Sequence, residues 1–160
     1  MADWLKKLRG IRIGGEVPKA VTPVLDRTSE GKPTKYQVGK MRAFADGLEP
    51  HLREAYYQKV LHSVDIPEQV KEHLHFLLGR HYVEQGKPDF AMDSFIRSGG
   101  LEEGARILGR AGFHKQAAQL HERTAEFHEA ARHYREAGFE KQAKEMLRLA
   151  EETKRRSSGR

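Results

Sequence analysis

The sequence predicts an all-α fold, an α-solenoid of short antiparallel helical hairpins. Three observations carry that expectation. First, residues 75–152 repeat every 26 residues, in copies at 75–100, 101–126 and 127–152. A fixed period of this kind means one supersecondary unit stacked on itself. Second, each copy divides into two half-motifs, and the first half ends on a glycine: Gly86, Gly112 and Gly138. Third, small residues recur at equivalent places, Gly79, Ala105 and Ala131 in the first half and Ala91, Ala117 and Ala143 in the second. Small side chains there let two helix axes approach closely.

The elements follow in order. Residues 1–33 read as a basic N-terminal segment and linker. Trp4, Leu5, Leu8 and Ile11 fall at helical spacing beside Lys6, Lys7, Arg9 and Arg12, which predicts a short amphipathic helix. Such a helix docks in a partner's hydrophobic groove, lies at an anionic membrane surface, or packs on this chain's own first helices. Gly14-Gly15 ends it, and Pro18, Pro23 and Pro33 make the rest a linker. The helical domain spans 34–152. Tyr36, Met41, Phe44 and Leu48 predict a first helix. Glu49-Pro50 starts a second, because proline is tolerated in a first turn, and Leu52, Ala55, Tyr56, Val60 and Val64 give it an apolar stripe. Asp65-Ile66-Pro67-Glu68 restarts the chain, with Asp65 as a capping acid. Val70, Leu74, Leu77, Leu78 and Tyr82 then carry a stripe to Gly86. Beyond it come helices of about three turns, ended by left-handed residues at Gly86, Gly99-Gly100, Gly112 and Gly138. Helices this short depend on packing against neighbours. Residues 153–160 read as a basic tail.

Composition narrows the function. There is no cysteine in 160 residues, which excludes disulfides, cysteine-based zinc sites and a cysteine nucleophile. No apolar run reaches the length of a membrane span, and the N-terminus lacks the apolar core of a signal peptide, so the expected location is cytoplasmic. The formal net charge is +6, and it sits at the ends: residues 1–42 carry +6, the tail 154–160 carries +4, and 43–153 carries −4. Basic ends suit contact with an acidic surface better than a nucleic-acid-reading core.

The first copy resembles a tetratricopeptide repeat. Leu78-Gly79-x2-Tyr82 is followed by Ala91-x3-Phe95, matching that family's Leu-Gly-x2-Tyr and Ala-x3-Phe half-motifs. Ala130-Ala131-x2-Tyr134 with Ala143-x3-Leu147 is a fair match; Gly104-Ala105-x2-Leu108 with Ala117-x3-His121 is weaker. The family period is 34 residues, so these copies are about two helical turns shorter, and the short-helix repeats of coat and transport scaffolds are a comparable alternative. The resemblance implies a right-handed solenoid whose first helices line a groove for an extended peptide. Carried over, the groove residues are Arg80, Arg106 and Arg132, one per copy, with Phe76, Arg110 and Arg135, and further Glu84, Glu102, His128 and Glu136. An arginine ladder suits an acidic segment or a C-terminal carboxylate, because guanidinium groups bind carboxylates bidentately. Pairing of Arg80 with Glu84 and of Arg132 with Glu136, at i,i+4, competes with that role.

Catalytic signals are missing. No P-loop, dinucleotide-binding glycine motif or nucleophile elbow occurs, and no cofactor is implied. His121, His128 and His133 lie near one another, but His128-Glu129-x3-His133 has one residue too many for the His-Glu-x2-His metal motif; no metal site is expected. His81 and His133 share a repeat position, which points to packing. The expected function is a protein–protein interaction adaptor or scaffold that binds an acidic or extended segment of a partner. Nucleic-acid association through the basic ends and peripheral membrane association through the N-terminal segment are the alternatives.

Overall fold

Proline and glycine divide the chain into helices. The computed structural model describes residues 35–62 and 67–158, without the side chains of 35–38 and 40. The N-cap of the helix from Glu68 is Pro67 in place of the expected Asp65, and the expectations for Trp4, Leu5, Leu8, the linker, the Tyr36 side chain and Val64 lie outside the described residues. Those residues form eight helices: α1 Lys35–Asp46, α2 Pro50–Leu61, α3 Glu68–Glu84, α4 Pro88–Arg97, α5 Leu101–Arg110, α6 His114–Arg123, α7 Phe127–Glu136 and α8 Glu140–Ser158. The fold is all-α, and no described helix is long and apolar enough to cross a membrane.

The helices pack in adjacent pairs, α3 with α4, α5 with α6 and α7 with α8. Connections of three residues force antiparallel neighbours. Each pair matches one 26-residue copy, and all six recurring small residues are buried. The stripe Val70, Leu74, Leu77, Leu78 and Tyr82 is buried on α3 as expected. On α2 the buried residues are Tyr56, Tyr57 and Val60, while Ala55 is exposed. The larger tyrosine removes more apolar area from water, so it wins the inward face.

Left-handed residues end the interior helices at Gly86, Gly99, Gly112 and Gly138, and also at Ala125 (φ 59°). Around Ala125 the Glu126 N–H donates to the His121 carbonyl (2.9 Å) and the Ala125 N–H to the Glu122 carbonyl (3.1 Å). That is the Schellman closure, which satisfies carbonyls the helix leaves open. Gly86, Gly112 and Gly138 close their helices the same way. After α4 a serine substitutes: the Gly100 N–H donates to Ser98 Oγ (3.1 Å), which donates to the Phe95 carbonyl (2.8 Å). The position equivalent to Gly99 and Ala125 in the last copy is Glu151, a good helix former. Helix α8 therefore does not stop; it runs to Ser158, and the tail expected from residue 153 is helical over most of its length.

Two apolar clusters make the core. One runs from Met41 on α1 to Leu120 on α6; the other joins Ala118, Ala130, Ala131, Tyr134, Ala143 and Met146. The pivot of the first is Phe95, fully buried. Its ring stands between Gly79 on α3 and Gly104 on α5, where an added Cβ would come within 2.8 Å and 2.5 Å of it respectively. Phe76 lies against it at 5.4 Å between ring centroids and against Gly100, where an added Cβ would meet it at 2.8 Å. The two aromatic rings thus clasp the start of α5. The junction between the first two copies is spread over α4 on α5, α3 on α5 and α4 on α6. The next junction is made chiefly by α6 on α7.

Candidate functional site

At that second junction a cleft of about 700 Å³ opens between α5 and α7, with α6 beneath it. Glu102, Arg106, Gly109 and Arg110 line it from α5; His114 and His121 from α6; Glu129, Arg132, His133 and Glu136 from α7; Glu126 joins from the loop before α7. No apolar side chain larger than glycine stands among them, so the cleft is built for polar or charged contents.

Its floor is a stack of three imidazoles. His114 is the first residue of α6, and His121 lies seven residues on, two turns along the same face. His133 from α7 inserts between them, with ring centroids 5.4 Å from each and interplanar angles of 23° to His114 and 6° to His121. Gly109 leaves room for this ring: an added Cβ would meet His133 Cε1 at 2.7 Å. His121 and His133 are buried, and His114 is half-buried.

Carboxylates tie the stack. Nδ1 of His121 lies 2.6 Å from Oε2 of Glu126, which also accepts from the Thr124 hydroxyl at 3.0 Å. The hydrogen bond from His121, reinforced by Thr124, holds the Glu126 carboxyl below its usual range. Nδ1 of His133 and Nδ1 of His114 lie 2.9 Å and 3.0 Å from the same Oε2 of Glu136, and 3.2 Å from each other. Burial pushes the His133 pKa down, and neighbouring Arg132 and His121 add to this against the opposing pull of Glu136. His133 is therefore neutral near pH 7. The Arg132 guanidinium lies 3.4 Å from His133 Nε2, which fits a proton on Nδ1 donated to Glu136.

The arginines expected along a groove divide. Arg106, Arg110 and Arg132 meet in the cleft. Arg80 does not; it lines a separate small recess with Arg42, Asp46, Arg53, Tyr57 and Glu84. Phe76 is spent on the core, and Arg135 is exposed outside the cleft lining. His128 is exposed and faces a shallow groove beside α8. Neither expected i,i+4 pair forms. Glu84 is taken by Arg53 of α2 at 3.1 Å, and Glu136 is taken by the two histidines. Arg106 and Arg132 instead pair backwards, with Glu103 at 2.9 Å and Glu129 at 2.7 Å. His81 and His133 are both buried, in keeping with their shared repeat position.

Sequence reasoning missed His114 and the partnership of His121 with His133, because it sought ligand spacing within single helices. Two signals were available. His114 and His121 share a face of α6, and His121 holds the repeat position of the core residue Phe95. No protein-family model, curated protein or solved structure matches the chain.

Proposed function

We propose that the chain is a helical-repeat binding module, a shortened relative in design of the tetratricopeptide repeat, that holds an acidic or extended segment of a partner protein in the cleft between its second and third repeats. The observation that carries this reading is the meeting of Arg106, Arg110 and Arg132 across one polar cleft. Their present partners are weak competitors. Arg106–Glu103 and Arg132–Glu129 are exposed pairs, each worth no more than about 1 kcal/mol. A partner carboxylate that engages a guanidinium with two parallel hydrogen bonds displaces such a pair. The carboxylates Glu102, Glu126, Glu129 and Glu136 that line the same cleft favour a segment with acidic groups at spaced positions over a uniformly acidic run, since like charges are rejected.

Selection of displayed peptides on the whole chain tests the reading. Segments bearing spaced Asp or Glu, or a free C-terminal carboxylate, are expected to be enriched. Reversal of Arg106, Arg110 and Arg132 to Glu abolishes their binding, while Arg80→Glu leaves it intact because Arg80 lies in another recess. If the triple variant melts like the parent and selects the same peptides, the cleft is not the binding site.

A further inference from the structure

We propose that His114, His133 and Glu136 form a binding site for a zinc-class divalent cation on the floor of the cleft. The three donor atoms, Nδ1 of His114, Nδ1 of His133 and Oε2 of Glu136, form a nearly equilateral triangle with sides of 3.2, 3.0 and 2.9 Å. A tetrahedral zinc ion with bonds of about 2.0 Å holds its ligand atoms about 3.3 Å apart. The triangle therefore needs to widen by only about 0.1–0.4 Å to seat the ion.

As a hydrogen-bond arrangement the triangle is crowded. Two imidazole nitrogens lie against one carboxylate oxygen and 3.2 Å from each other. If both carry protons, the one oxygen accepts both, with the two N–H dipoles held side by side. If only one does, the second nitrogen has its lone pair directed at an acceptor. A cation resolves this, because all three atoms then act as electron-pair donors to one centre. The set also has the right chemistry: imidazole and carboxylate suit zinc, and two histidines with one carboxylate leave a fourth position for water. All three residues line the open cleft, so water has access.

The scaffold holds the donors. His133 and Glu136 are three residues apart on α7, hence on one face, and His114 is fixed at the start of α6. Burial of His133 among His114, His121 and Gly109 locks its ring plane. Binding moves the His133 proton from Nδ1 to Nε2. The Arg132 guanidinium then swings away from Nε2, a small movement for an exposed side chain already held by Glu129 at 2.7 Å.

This inference stands apart from the partner reading, because it is tested on the chain alone. The untagged full chain, stripped with a chelator, is titrated with Zn²⁺ by calorimetry and with Co²⁺ by visible absorption. One ion per chain is expected, with the strong absorption of four-coordinate Co²⁺. His114→Ala and Glu136→Gln each weaken binding at least about tenfold, while His128→Ala does not. Helical circular dichroism in chelator checks that the variants fold; if His114→Ala does not, His114→Gln replaces it. The ring NMR signals of His114 and His133 in the parent chain are also expected to shift on Zn²⁺ addition, with those of His128 unmoved. Absence of saturable one-to-one binding overturns the proposal. So does a folded His114 variant and a folded Glu136→Gln variant that bind as the parent does, or a Zn²⁺-induced shift confined to other histidines.

Discussion

Replacing Gly104 by alanine puts a methyl group into the root of the Phe95 side chain. The new Cβ would lie 2.5 Å from Phe95 Cγ, 2.7 Å from its Cβ and 2.8 Å from Cδ2. These are the least mobile atoms of a fully buried ring. The ring cannot tilt away freely, because Gly79 holds its far edge just as closely. Two effects oppose one another. Alanine in a helix interior gains about 1 kcal/mol over glycine. Forcing an extra carbon into a filled core costs about 1–3 kcal/mol, and a contact at this depth belongs near the upper end. The net expectation is a loss of about 1–2 kcal/mol. Gly39→Ala in α1 is the control, since nothing among the described residues lies within 4 Å of its new Cβ; it should gain about 0.5–1 kcal/mol. Urea unfolding followed by circular dichroism reads both. A Phe95→Ala background provides a coupling test: it removes the contacts with Cγ and Cδ2 and leaves only that with Cβ at 2.7 Å, so Gly104→Ala should cost at least about 0.5 kcal/mol less there than in the parent. A Gly104→Ala chain as stable as Gly39→Ala, or a penalty that is the same with and without the ring, would refute the clash.

Ala125 sits at φ 59° where its equivalent in the preceding repeat is Gly99, so Ala125→Gly should stabilise the chain by about 0.5–1 kcal/mol, left-handed strain outweighing the extra unfolded entropy; a urea midpoint no higher than the parent's would contradict this. Arg53 donates to the Ala45 and Asp46 carbonyls at 3.0 and 3.1 Å and to Glu84 at 3.1 Å, tying the end of α1 to α3. Arg53→Met should cost about 1.5–3 kcal/mol and speed amide exchange throughout α1; unchanged exchange there would remove the tie. His81 is 3% exposed, with no partner for either ring nitrogen among the described residues. Burial, then Arg53 and Lys87 against Glu84 and Glu54, lowers its pKa below the ordinary 6.5. The unfolded chain then takes up the proton first on acidification. This share of stability is fully present above pH 6.5, falls as pH drops below it, and levels off below the folded pKa. His81→Leu, of similar size, should stabilise by about 1 kcal/mol near neutral pH and shrink the loss as pH falls below 6.5; an equal acid loss in both chains would exonerate His81.

The helical framework was legible because two independent signals coincide. The 26-residue period and the glycines Gly86, Gly99, Gly112 and Gly138 mark the same boundaries, so α3, α4, α5 and α7 end where the sequence places them, while α3 starts at Glu68 behind Pro67 and not behind the expected cap Asp65. Legibility faded where a position kept its geometry but changed its residue. Ala125 takes the left-handed turn without being glycine, since the Schellman closure around it repays the strain. Glu151 lacks that turn and lets α8 run on. The arginine ladder was only partly legible for another reason. A repeat fixes each arginine's position within its own helix, but which neighbour it faces depends on how consecutive repeats join. Arg80 faces α2, whereas Arg106 and Arg132 face one another's repeats across the cleft.

The unequal junctions have a cause in the sequence, and it explains why the cleft lies where it does. At the first junction Phe76 and Phe95 meet Gly100 and Gly104, aromatic rings against bare backbone. Twenty-six residues on, the same four positions are Glu102, His121, Glu126 and Ala130. Both halves of the clasp are lost at once: the rings become polar side chains, and the glycines that received them acquire side chains of their own. Nothing apolar remains to draw α7 onto α5 as α5 is drawn onto α3, and burial of apolar area is the main force available for that. Helix α7 packs instead on α6 through Ala118, Ala130 and Ala131, which leaves α5 and α7 flanking open space. Polar groups facing that space must find partners, and the histidine stack with Glu126 and Glu136 is the arrangement that supplies them. Restoring the clasp, with Phe in place of His121 and Gly in place of Glu126 and Ala130, would on this argument close the cleft and remove the site together with its cause.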